Sequence, residues 1–109
     1  MRKRVLIVDD DPAVLRLMAD ILSEQGWDTS AAGSLQEAQK IAGPWDLVVA
    51  DVRLPNGDGR HLRETLPDVP FLVVSGFPED HDREPYFLEK PFGAQQLRKK
   101  VGECLGVSP

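Results

Sequence analysis

Three aspartates, a serine and a lysine each stand at the end of a short, largely apolar run. Val5 to Val8 leads into Asp9 and Asp10, Leu47 to Ala50 into Asp51, Phe71 to Val74 into Ser75, and Phe87-Leu88-Glu89 into Lys90 and Pro91. Carboxylates brought close together repel unless a counterion neutralises them. Mg²⁺, a small hard cation that keeps part of its water shell, suits a few carboxylates and a phosphoryl oxygen at an open edge. A carboxylate held there can also attack a phosphorylated donor to give an acyl phosphate. Lys90 would pair with the phosphoryl oxygens, Ser75 would donate a hydrogen bond to one of them, and the metal would neutralise the charge developing in transfer. Taken singly, each residue has a plainer reading: an aspartate at a strand end is often a cap or turn residue, Ser75 before Gly76 suits a turn, and Lys90 suits solvent. It is the ordered arrival of all five that points to one site.

The elements that must position these residues follow from the alternation of strand and helix signals along the chain, the pattern of an α/β domain with a parallel sheet. In open sheets of this kind ligand sites lie at the carboxyl edge, beside the switch in strand order. A first helix is predicted with Asp11 as N-cap and Pro12 at its first position, carrying Val14, Met18, Ile21 and Leu22 and stopping at Gly26. A second opens with the capping box Ser34-Leu35-Gln36-Glu37, continues through Ala38, Ile41 and Ala42 and breaks at Gly43-Pro44. A short third helix carries Leu62 and Leu66. Strands covered on both faces read as solid apolar runs. The mixed segments Asp28 to Ala32 and Tyr86 to Glu89 are therefore expected at the edges, which favours a flavodoxin-like, doubly wound five-stranded order 2-1-3-4-5.

Bulk properties narrow the function. The 109 residues suit one domain spanning 1–109. A net charge of -5 argues against a nucleic-acid surface, which needs clustered Lys and Arg. No apolar run exceeds five residues, so no membrane insertion is expected, and the basic start Met1 to Arg4 leads into a strand rather than a signal-peptide core. A cytoplasmic location is the expectation. Cys104, the only cysteine, excludes an intramolecular disulfide and falls in the apolar spacing of Leu97, Val101 and Leu105, as a small buried hydrophobe would. His61 and His81 lie in polar segments without a second histidine or cysteine at metal-ligand spacing, and are expected as surface residues. Gly57 and Gly59 permit a tight turn after Asp51. They do not form a P-loop, since no Gly-Lys-Ser/Thr follows, and the aspartate spacing is wrong for an EF-hand.

The blocks VLIVDDDP, DVRLPNGDG, VVSG and FLEKPF, in this order, resemble the receiver domain of two-component response regulators over essentially the whole chain. The resemblance implies that Asp51 is the phosphoacceptor and that Asp9, Asp10, Asp51 and the backbone carbonyl of Arg53 bind Mg²⁺. It further implies that Ser75 is the switch hydroxyl, Lys90 contacts the phosphoryl group through a cis Lys90-Pro91 peptide, and Phe87, not Tyr86, is the aromatic switch. A histidine kinase or histidine phosphotransfer protein would be the donor. The domain would be a signalling phosphoacceptor rather than an enzyme in the usual sense, promoting its own phosphorylation and dephosphorylation.

Between the fourth and fifth strands the chain is short for that family. Ser75 to Pro85 holds Pro78, Pro85, a run of charges and only Phe77 as a large apolar residue, which cannot build an amphipathic fourth helix. Helix-mediated dimerisation is correspondingly not expected, and the protein should be a monomer or weak dimer. The charged loop is expected to order on phosphorylation or partner binding. With no DNA-binding segment expected after Gly106 to Pro109, the chain is expected to be either a free-standing receiver or the receiver of a hybrid sensor kinase, whose SGFPED and FLEKPF blocks it resembles. Two rivals are weaker. A phosphatase of the haloacid-dehalogenase type needs a further acidic motif after its lysine, and here only Glu103 follows. A pseudo-receiver would share the fold without the chemistry.

Overall fold

The computed structural model describes residues 2–107. Its main sheet has five parallel strands, β1 (Arg4–Val8), β2 (Asp28–Ala32), β3 (Leu47–Asp51), β6 (Phe71–Ser75) and β7 (Phe87–Glu89), in the order β2-β1-β3-β6-β7. Between β3 and β6 lies a two-stranded antiparallel hairpin, β4 (Arg53–Leu54) with β5 (Gly57–Asp58). Counting only the main sheet, the order is the expected 2-1-3-4-5, with the mixed strands β2 and β7 at its edges.

The three inner strands are buried along almost their whole length, because alternate side chains feed two separate cores. Val5, Ile7, Leu47, Val49, Leu72 and Val74 pack on one face against Met18, Leu22, Leu97 and Val101, from helices α1 (Pro12–Glu24) and α3 (Ala94–Leu105). Leu6, Val8, Val48, Ala50 and Phe71 pack on the other against Leu35, Ala38, Trp45 and Leu62. Burying each Val, Leu, Ile, Met or Phe among them contributes about 1.5–3 kcal/mol, so both faces resist a shift in strand register.

Capping chemistry sets the first helix. Asp11 Oδ1 accepts from the amides of Ala13 (2.9 Å) and Val14 (3.4 Å), Pro12 opens the helix, and Gly26 beyond its end takes φ +90°, which a residue with a Cβ resists. The second helix, α2 (Leu35–Lys40), starts at Ser34 as expected, with Ser34 Oγ accepting from the Glu37 amide at 3.1 Å. Glu37 reaches one residue further back than a capping box requires and accepts from Gly33 N at 2.6 Å. This helix stops earlier than its apolar spacing suggests: Ile41 is already extended, and its side chain packs on the core from outside the helix.

The region after β3 departs further from helical expectation. A 3-10 turn, Gly59–Glu64, replaces the third helix; it buries Leu62, while Leu66 lies beyond its end. In place of a fourth helix there is a single 3-10 turn, Pro78–His81, opened by its proline. The surrounding loop is tied down: Glu84 accepts from Arg63, with Nη1 at 3.1 Å, and lies 3.8 Å from Arg60 Nη1.

Candidate functional site

Strand register brings the chemical residues together. Val8 pairs with Ala50, so Asp9 lies one step beyond β1 beside Asp51 at the end of β3. Asp51 pairs with Val74, leaving Ser75 one step further on. Ser75 in turn pairs with Glu89, and the Lys90 amide donates to Ser75 O at 3.0 Å as the chain leaves β7. The five candidate residues therefore stand along one carboxyl edge because apolar strands fix where each strand ends.

At the centre of this edge Lys90 Nζ donates to Asp9 Oδ2 at 2.8 Å and to Asp51 Oδ2 at 3.0 Å. The other oxygens are engaged by backbone: Asp9 Oδ1 accepts from Asp11 N (2.9 Å) and Asp51 Oδ1 from Arg53 N (3.1 Å). Asp9 is only 1% exposed. Burial pushes its carboxyl above the ordinary range, only partly offset by the Lys90 and Asp11 hydrogen bonds, and the neighbouring Asp51 charge adds to the rise. Burial alone would lower the Lys90 ammonium, yet hydrogen bonds to Asp9 and Asp51 outweigh it and the pKa is raised. The Lys90-Pro91 peptide is cis, as is Gly43-Pro44.

Among the described residues, Asp9, Asp10 and Asp51 each offer a carboxylate oxygen within 4.8 Å of the others, Asp10 from an exposed position. Three carboxylates gather here, and the Lys90 ammonium bonds two of them, Asp9 and Asp51. This excess negative charge in an oxygen-only ligand set fits a hard divalent cation of the Mg²⁺ kind. Close approach of the following loop helps build the site: a Cβ at Gly59 would lie 2.1 Å from the Asp51 carbonyl oxygen. Asp58 and Arg60 brace that loop, with Arg60 Nη2 2.7 Å from Asp58 Oδ2. Although burial opposes it, the Arg60 hydrogen bonds hold the Asp58 carboxyl below its ordinary range.

Ser75 is 1% exposed, and its hydroxyl is turned to a residue that strand-end reasoning did not single out. Ser75 Oγ donates to Asp80 Oδ2 at 2.6 Å and accepts from Phe77 N at 3.0 Å. Asp80 also accepts from Arg53, Nε to Oδ2 at 3.0 Å and Nη2 to Oδ1 at 3.3 Å. The Arg53 guanidinium, chiefly, holds the Asp80 carboxyl below its usual range. Arg53 thus contributes a side chain as well as its backbone.

Two further residues differ from their sequence reading. His81 is half-buried rather than exposed: its Nε2 lies 3.1 Å from Ser75 O, and its ring stacks on Phe87 with centroids 4.5 Å apart. Phe87 is itself 41% exposed, while His61 is exposed as expected. Cys104 is half-buried at the margin of the α1/α3 core, where burial pushes its thiol up to about 12. Glu103, the one acid a phosphatase reading had left, sits on α3 beside Lys100 (3.4 Å) and not in the acidic group.

A doubly wound parallel sheet with three carboxylates and a lysine at its switch-point edge defines the class as an open α/β domain with its candidate ligand site in the position usual for such sheets. Residues 5–102 match the response regulator receiver domain, and the chain belongs to that family. It is 38% identical over 116 residues to the sensor kinase CckA of Brucella abortus, a match covering 93% of this chain and 12% of that protein. It is 34% identical to the transcriptional regulatory protein AruR of Pseudomonas aeruginosa, covering 76% of this chain and 38% of the relative. The chain therefore spans well under half of these curated relatives. Among solved structures, the receiver domain of the hybrid histidine kinase CckA superposes with a TM-score of 0.79 at 30% identity, covering 94% of this chain and 98% of the other. The response regulator TrrA of Thermotoga maritima, solved in complex with Mg²⁺ and BeF, gives 0.82 at 27% identity, covering 94% and 99%. No helix among the described residues is long and apolar enough to cross a membrane.

Proposed function

We propose that residues 1–109 act as one phosphoacceptor domain of a two-component system, taking a phosphoryl group on Asp51 from a phosphohistidine of a sensor histidine kinase or phosphotransfer protein. The observation that carries this reading is the Lys90 ammonium shared between Asp9 Oδ2 and Asp51 Oδ2, with Asp10 alongside. An Asp51 oxygen attacks phosphorus, the P–N bond to the donor imidazole breaks, and an acyl phosphate forms. Water later attacks phosphorus, returning the carboxylate and releasing phosphate. Lys90 places positive charge where the transferring oxygens gather, and the Arg53 amide orients the Asp51 carboxylate. Bound by Asp9, Asp10, Asp51 and the Arg53 carbonyl, Mg²⁺ would neutralise charge as it develops in transfer.

Ser75 serves as the switch hydroxyl and Phe87 as the aromatic that follows it; the output is a protein-binding surface, without nucleic-acid binding or membrane insertion, on a monomer or weak dimer in the cytoplasm. Similarity to the receivers of CckA supports a place in a hybrid-kinase phosphorelay. The test is intact mass after incubation with acetyl phosphate and Mg²⁺. A phosphoryl adduct is expected for wild type, and none for Asp51→Asn or in EDTA. An adduct of equal yield on Asp51→Asn would overturn the reading.

A further inference from the structure

In the resting protein the Ser75 hydroxyl has a single proton, and that proton is committed. It lies in the 2.6 Å bond to Asp80 Oδ2, in the short range of a hydroxyl bound to a carboxylate. Phe77 N occupies the same oxygen as donor at 3.0 Å. A phosphoryl oxygen on Asp51 has no proton to offer Ser75 and must receive this one. We propose that Asp80 is a positioning residue that withholds Ser75 from the phosphoacceptor, so that phosphorylation of Asp51 and retention of the Pro78–His81 turn compete for one hydroxyl proton. This rests on Asp51 being the phosphoacceptor.

The contacts around Asp80 give the competition its direction and reach. Arg53 clamps the carboxylate through Nε and Nη2 and lies over the Phe77 ring, with its guanidinium carbon 3.8 Å from the centroid. The same residue's amide binds Asp51 Oδ1, so the clamp begins two residues from the phosphoacceptor. One residue beyond Asp80, His81 touches Ser75 O and stacks on Phe87. When Ser75 turns to a phosphoryl oxygen, Asp80 loses a partner while 7% exposed, which favours movement of the turn toward solvent. That movement separates His81 from Phe87. The short turn does by a charged latch what the missing fourth helix cannot do by packing.

The experiment is a titration of Mg²⁺-loaded protein with beryllofluoride, a phosphoryl mimic, followed by amide NMR. Wild type, Asp80→Ala, Ser75→Ala and the double variant are compared, and amide exchange at Phe77 is measured on the metal-free proteins. Asp80→Ala is expected to bind the mimic about tenfold more tightly, the gain being absent in the Ser75→Ala background. Exchange at Phe77 should rise about tenfold, because a released Ser75 no longer holds its amide. Unchanged or weaker binding by folded Asp80→Ala, or a gain that survives in Ser75→Ala, overturns the latch. If Asp80→Ala fails to fold by circular dichroism, the volume-conserving Asp80→Asn carries the same test, with a gain of about threefold or more expected for loss of the charge. Should wild type itself not bind the mimic, the phosphoacceptor reading fails, and Phe77 exchange alone decides whether the latch exists.

Discussion

The two halves of the carboxyl edge are held by different forces. Asp9 and Asp51 issue from β1 and β3, strands buried on both faces, and Lys90 follows the edge strand β7, which pairs in register with the buried β6, so all three are placed by the sheet. Ser75 belongs to that frame as well, but its partner Asp80 sits on a single 3-10 turn held mainly by Arg53. In the proposed function the rigid scaffold would carry the chemistry, and a short segment secured by polar contacts would carry the response. Segments with few buried apolar contacts open at lower free energy than core strands, which suits a switch.

The largest break in this contrast is expected from Lys90→Met. Loss of the one cation between Asp9 and Asp51 should slow phosphorylation by acetyl phosphate about a hundredfold. Mg²⁺ binding, measured by calorimetry, should tighten, since the ammonium no longer competes for either carboxylate. Gly59→Ala strikes the scaffold side sterically: a Cβ 2.1 Å from the Asp51 carbonyl forces the loop away. A loss of about 1–3 kcal/mol is expected, read as a lower Tm, together with slower phosphorylation.

The smallest effect lies on the latch side and depends on pH. The Asp80 carboxyl is held below its ordinary 3.8 in the folded protein, so its contribution to stability is complete above that value and is lost as pH falls through the lower folded one. Between pH 7 and pH 3 the Tm of metal-free wild type should therefore fall more than that of Asp80→Asn, with the difference arising below about pH 4. Equal profiles would mean that Arg53 and Asp80 are not coupled in solution.

The contrast also explains what was legible in the sequence. Solid apolar runs end where the sheet ends, so Asp9, Asp10, Asp51, Ser75 and Lys90 were readable as edge residues, and the mixed composition of Asp28 to Ala32 marked β2 as an edge strand. Asp80 was not readable, because Glu79-Asp80-His81-Asp82-Arg83-Glu84 offers four acids with no apolar period to say which one faces inward. The available signal was Pro78, which opens a turn and so places Asp80 within reach of Ser75. Glu84 was hidden for the same reason; Arg60 and Arg63, which neutralise it, come from a 3-10 turn whose phase differs from that of the α-helix expected around Leu62. At the end of α2, Ile41 continues the apolar spacing while its backbone has left the helix, so packing outlasted helical geometry.

The most direct test of the central claim is chemical localisation of the phosphoryl group. Protein treated with acetyl phosphate and Mg²⁺ is reduced with borohydride, which converts an acyl phosphate to the alcohol, and its peptides are sequenced by mass spectrometry. Homoserine at position 51, absent when EDTA is present, is the predicted result. Phosphate on His61, His81 or Ser75, with residue 51 still aspartate, would contradict it.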